Sequence, residues 1–170
     1  MTEPGETPTI KLAERRVFSA SFKPLYNDGM ALVEQAAEYL DGQGRTDAKA
    51  LGRLEATLYA AESMRLTTRL MQIASWLLLQ RAANSGEMTR EQAAAEKAKV
   101  RLDTISAPDE AAGWMGLPER FRDLVARSLS LQALVRSMDM QIYGGTADAA
   151  PARNAVGDQI ALLKTALGAR

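Results

Sequence analysis

The sequence predicts an all-α fold: an antiparallel three-helix bundle with a long central helix, an accessory helix and flexible N- and C-terminal segments. Apolar residues recur at spacings of three and four along most of the chain. No strand-like alternation interrupts them, and glycine- or proline-bearing breaks fall between the periodic segments. No fixed-period repeat appears, so a bundle is expected rather than a solenoid.

Residues 1–17 carry Pro4, Gly5 and Pro8 with little to bury, and read as a flexible arm. The first helix runs over 22–40, with Phe22, Leu25, Tyr26, Val33, Ala36 and Leu40 on one face and Asp28, Glu34, Gln35, Glu38 and Asp41 on the other. Pro24 suits its first turn, and Gly42 and Gly44 offer left-handed residues to end it. The second helix spans 47–83, about 55 Å at the usual rise. Asn84, Ser85 and Gly86 stop it. Its main stripe is Leu51, Leu54, Leu58, Leu66, Leu70, Ile73 and Leu77, and Met64, Met71, Trp76, Leu78 and Leu79 form a second apolar sector. A helix apolar on two sides needs two bundle partners, or one partner and a second subunit.

Thr89-Arg90-Glu91-Gln92 matches a capping box that opens an alanine-rich accessory helix ending near Asp103. A loop over 103–116 holds Pro108, Gly113, Gly116 and, between the glycines, Trp114. Leu117-Pro118 starts the third main helix, with Phe121, Leu124, Val125, Leu131, Val135, Met138 and Ile142 on its apolar face and Gly144 and Gly145 at its end. The expected division is an arm over 1–17, a bundle over 18–143 and a tail over 144–170. In the tail, Val156, Ile160, Leu163 and Leu167 form a short helical stripe suited to ordering on a partner.

Composition narrows the chemistry. The chain has 170 residues, 21 basic and 21 acidic, so it has no global attraction for nucleic acid. It has neither cysteine nor histidine, which removes thiolate nucleophiles, disulfides, the commonest general base and the commonest neutral metal ligand. The N-terminus has no apolar signal core, and the most apolar stretch, 70–79, is half of the roughly 20 residues a membrane span needs. A cytosolic protein without membrane insertion is expected.

Few patterns point to a site. Gly42-Gln43-Gly44 lacks the third glycine and the preceding strand of a dinucleotide loop. Glu34 and Glu38 sit one turn apart and could share a cation, but carboxylate metal sites need ligands from facing helices, and Glu62 alone cannot supply them. Arg65 and Arg69, four apart, form a possible anion clamp or else serve structural ion pairs such as one with Glu62. Met71, Trp76, Leu78 and Leu79 are candidates for a homodimer seam. Trp114 is either a lid on the bundle or a partner anchor. The acids of the first helix are expected to face arginines of the second and third.

The segments Leu25-Tyr26-Asn27-Asp28-Gly29-Met30, Tyr39-Leu40-Asp41-Gly42, Glu62-Ser63-Met64-Arg65-Leu66-Thr67-Thr68-Arg69-Leu70-Met71, Ala74-Ser75-Trp76-Leu77-Leu78-Leu79-Gln80-Arg81 and Gly86-Glu87-Met88-Thr89 resemble the RcdA family, alphaproteobacterial regulators of CtrA degradation. The resemblance covers residues 18–139. It implies a small helical-bundle dimer without enzymatic activity or cofactor, adapting substrates to the ClpXP protease. Its implied partners are the protease, the response regulator CpdR, the cyclic-di-GMP-binding protein PopA and the transcription factor CtrA, with recruitment to the cell pole. The alternative reading is a helical sensor or dimeric scaffold binding a small anion or a protein.

Overall fold

Helices form where the three-four periodicity runs: α1 over Thr9–Asp41, α2 over Gln43–Lys49, α3 over Arg53–Ser85, α4 over Arg90–Lys97 and α5 over Glu119–Tyr143, with a 3-10 turn at Trp114–Gly116. The structure is a computed structural model that describes residues 9–144, and side chains from residue 20 onward. Among the described residues there is no strand. The chain divides into two compact units, one ending at Val135 and one beginning at Arg136. In the second, the described residues complete α5 and leave Met140 exposed.

The core belongs to the first unit. Leu32, Ala36 and Tyr39 of α1, Tyr59, Leu66 and Leu70 of α3, and Phe121, Leu124 and Val125 of α5 make one buried cluster, joined by Trp114 and Leu117. Ring contacts fix the helix directions. Phe22, early in α1, meets Trp76, late in α3, at 6.4 Å between centroids. At the other end, Phe121 meets Tyr39 at 6.3 Å and Tyr59 at 4.5 Å. Hence α1 runs antiparallel to both α3 and α5, while α3 and α5 run parallel, Tyr59 meeting Phe121 and, further along both, Arg69 meeting Ser128. At Gly29 an added Cβ would lie 2.5 Å from Leu77 Cδ1 and 3.6 Å from Leu131 Cδ2, so the glycine is what lets these side chains meet α1.

Several elements differ from expectation. α1 begins at Thr9, so Pro24 lies inside the helix rather than in its first turn. An interior proline loses one hydrogen bond and crowds the preceding turn. Buried Phe22 and Leu25 on either side hold the helix through it. The expected second helix is two: α2 ends at Lys49, and Gly52, extended at φ −64° and ψ 167°, caps α3. Leu54 is 55% exposed because the buried stripe starts only at Tyr59. Gly42 and Gly44 are not left-handed; among the described residues only Gly86 and Gly113 are. Gly44 is required by space, since a Cβ there would lie 2.6 Å from Tyr59 Oη and 2.7 Å from the Tyr39 carbonyl.

Other signals match. Gly86, at φ 78°, ends α3. Thr89 and Gln92 form the capping box, with the Thr89 hydroxyl accepting from Gln92 N at 3.1 Å and Gln92 Oε1 accepting from Thr89 N at 2.9 Å. α4 stops at Lys97, short of Asp103, and buries Ala93. Arg45 of α2 pairs with Asp41 of α1 at 3.3 Å, but the arginines of α3 and α5 that reach α1 meet its uncharged groups rather than its acids. Arg81 donates to Tyr26 Oη at 2.9 Å, Arg127 donates to Gln35 Oε1 at 2.9 Å, and Arg120 lies 5.4 Å from the Tyr39 ring centre.

Candidate functional site

α3 organises both sides of the molecule's chemistry. Its buried positions Tyr59, Glu62, Leu66, Arg69, Ile73, Trp76 and Gln80 alternate steps of three and four, the spacing that keeps one helical stripe facing its neighbours. Two of them, Glu62 and Arg69, are charged and fully buried. Burial of such groups is tolerated only with partners, and the strap over residues 98–113 supplies them. Arg69 donates through Nε to the Thr104 carbonyl at 3.2 Å, through Nη2 to Ser106 Oγ at 2.7 Å and through Nη1 to Ser128 Oγ of α5 at 2.7 Å. Glu62 Oε1 accepts from Ala107 N at 2.9 Å and from Arg65, while Glu62 Oε2 is buried with no hydrogen-bond partner. Thr104 Oγ1 donates to Gln72 Oε1 at 2.9 Å. The strap is thus latched to α3 by polar groups. Burial pushes the Arg69 guanidinium below its ordinary pKa, against the pull of Glu62 in the other direction.

A second polar knot ties α2 to the bundle. Tyr39 Oη donates to Asp47 Oδ2 and Gln43 Nε2 to Asp47 Oδ1, each at 2.8 Å, and Tyr59 Oη donates to the Gly44 carbonyl at 3.2 Å. The Gln43 and Tyr39 hydrogen bonds hold the Asp47 carboxyl below the usual range. Burial holds the Tyr39 and Tyr59 phenols above theirs.

The opposite face of α3 is bare. Met64, Met71 and Leu78, each seven residues apart, are 73%, 66% and 48% exposed. Seven residues make almost two turns, so the three side chains stand in one row about 21 Å long. Thr67 and Ser75 lie exposed beside them. Their hydroxyls donate to the carbonyls of Ser63 at 2.9 Å and Met71 at 2.8 Å, which satisfies them within the helix. The nearest charge, Arg65, pairs with Glu62. Thr67 and Ser75 can therefore be covered by another helix without stranding their hydroxyls.

The sequence candidates divide accordingly. Met71 and Leu78 are exposed on one face and Leu79 is half-buried beside it. Trp76 is 1% exposed and packs in the core, which corrects its place in the seam. It lies about 200° around the helix from Leu78. Arg69 is enclosed and used by the strap, so the proposed Arg65 and Arg69 anion clamp does not form. Its structural alternative, an Arg65–Glu62 pair, does. Trp114 is 6% exposed and joins the core, as a lid rather than a free anchor. Glu34 and Glu38 are exposed while Glu62 is buried, so the three carboxylates do not converge. Among the described residues no three His, Cys, Asp or Glu could hold a metal. Val156, Ile160, Leu163 and Leu167 lie outside the described residues. The strap latch was not anticipated; its one signal was two charges, Glu62 and Arg69, seven apart in an apolar helix.

Fold and site together define a small helical protein whose conspicuous features are a latched strap and an exposed apolar helix face. A family described as a protein of unknown function, DUF1465, matches residues 13–167. A crystal structure of RcdA from Caulobacter crescentus CB15 is similar to this chain at 46% identity and a TM-score of 0.60, covering 72% of this chain and 90% of that one. The chain belongs to the RcdA family. Among curated proteins none matches it. Among the described residues no helix is long and apolar enough to cross a membrane.

Proposed function

We propose that the protein is a non-enzymatic, cytosolic adaptor of regulated proteolysis that helps deliver cell-cycle regulators, CtrA among them, to the ClpXP protease. The observation that carries this reading is the 46% identity to RcdA over 90% of that chain. The resemblance supplies the protease, with CpdR, PopA and CtrA as partners, and the bare α3 face supports a homodimer through Met64, Met71 and Leu78. The tail stripe Val156, Ile160, Leu163 and Leu167 is a second, separate contact. Two weak contacts on one molecule raise effective concentration, which lets an adaptor act without one strong interface.

The test is degradation of CtrA by ClpXP, CpdR and PopA in a reconstituted mixture, with and without this protein. Addition should accelerate loss of CtrA, and an unchanged rate would overturn the reading. Deleting residues 144–170 should leave the helical circular dichroism signal of the bundle and impair delivery. Full delivery by the truncated chain would remove the tail from the mechanism.

A further inference from the structure

Between the strap and the first turns of α5 lies a cleft of about 510 Å³ that the latch helps to shape. Ala126, Leu129 and the exposed edge of Trp114 line it with apolar surface, and Asp109, Glu119 and Asp123 line it with carboxylates. Its volume is that of a site for a few side chains. One guanidinium, that of Arg122, shares the lining against three carboxylates. It is already engaged, donating through Nε to the Leu117 carbonyl at 3.2 Å and touching Met115 Sδ at 3.7 Å. Asp123 reaches Arg127 only at 3.5 Å, and the same Arg127 Nη1 is closer, at 2.9 Å, to Gln35 Oε1. The carboxylates of the rim are thus exposed and loosely held.

Next to Ala107, which also lines the cleft, the wall is fixed by the 2.9 Å hydrogen bond to the buried Glu62 carboxylate. The trough is therefore formed before any ligand arrives, and binding there need not order the strap. We infer that the cleft between the strap and α5 docks a short partner segment in which one lysine or arginine is flanked by apolar side chains. The apolar residues lie against Ala126, Leu129 and the edge of Trp114, the cation's methylene stem follows the same wall, and its head reaches the carboxylates. An anionic segment is repelled by the same rim. This rests on the adaptor reading, naming the chemistry of one protein it would hold.

The probe is acetyl-Leu-Arg-Leu-amide, compared with its Gln and Glu counterparts, titrated into the full-length, ¹⁵N-labelled chain. The sequence has two tryptophans, so the indole signals of Trp114 and of core Trp76 report the cleft and a control. The Arg peptide should shift the Trp114 signal saturably and leave Trp76 in place. It should bind about fivefold tighter than the Gln peptide, as three surface charge contacts allow, with the Glu peptide weakest. Replacing the exposed carboxylates together, Asp109→Asn, Glu119→Gln and Asp123→Asn, should level the three affinities.

Equal affinities in the unaltered chain, or no saturable Trp114 shift up to about 10 mM peptide, would overturn the proposal. Degradation of CtrA separates it from the adaptor reading. If the unaltered chain accelerates degradation and the triple variant does so equally, the cleft has no part in delivery and the adaptor reading stands. If the unaltered chain gives no acceleration, the adaptor reading falls and the peptide titration still decides the cleft.

Discussion

At the scale of single residues, the decisive group is Arg69. It holds the Thr104 carbonyl, Ser106 and Ser128 while fully buried, so truncating it strands the buried Ser128 hydroxyl and releases the half-buried strap groups. Arg69→Met should cost about 3 kcal/mol, the lower end for breaking a buried charged contact. Urea denaturation measures the loss, and amide exchange should accelerate over residues 104–107. A loss below about 1 kcal/mol would mean the latch is not closed in solution. Tyr39 gives a pH prediction. Its phenol is held above the ordinary value of about 10, so the folded state keeps its proton when the unfolded chain gives it up. Its contribution is whole below that value and declines as pH rises beyond it. Tyr39→Phe should flatten the alkaline fall in stability, measured by denaturation between pH 8 and 11. An equal slope in both proteins would assign the fall to other groups. Little of this was legible beforehand. Arg69 read as half of an anion clamp or as one of an ion pair with Glu62, because the strap partners of both lie 35 to 45 residues away, at Thr104, Ser106 and Ala107. A single sequence does not pair them.

At the scale of elements, local rules were read most reliably where one residue type has one geometric use. The Thr89–Gln92 capping box and the Gly86 stop hold because each satisfies backbone groups that the helix end leaves open. The break between α2 and α3 was missed because Gly52 is a helix weakener that tertiary contacts can override in either direction. Gly44, inside α2, has a separate role, admitting Tyr59 Oη and Tyr39 against its backbone. Gly44→Ala should therefore destabilise by about 1 to 3 kcal/mol, as overpacking does, and lower the melting temperature. In contrast, Thr89→Ala should cost about 1 kcal/mol locally. Because α4 buries only Ala93, the exchange rates should rise in α4 and leave α3 protected. If protection fell throughout α3, α4 would be an integral part of the bundle rather than an accessory to it.

At the scale of the whole molecule, zero net charge has a simple structural counterpart. The inner side of α3 uses its charges on the strap, and its outer side presents methionine, leucine and self-satisfied hydroxyls. Nothing electrostatic repels a second copy from that row. If two α3 helices cover each other there, each of Met64, Met71 and Leu78 gains about 1.5 to 3 kcal/mol from full burial, before the cost of association. Thr67 and Ser75 are small enough to let the helices approach, and a two-fold arrangement would set each row against itself. The sequence showed this sector but placed Trp76 in it, since an apolar residue counts toward either face until the core claims it. The corrected seam makes a sharper test. Met71→Glu stands in the middle of the row and 66% exposed, so it should spare the fold and place like charges opposite each other across the seam. Light scattering at micromolar concentration should give a dimer mass for the unaltered chain and a monomer mass for the variant, with unchanged helical circular dichroism. Leu54→Glu, exposed on α3 but outside the row, should remain dimeric. A dimer that survives Met71→Glu would move the seam away from α3, and a monomer in the unaltered chain would dismiss it.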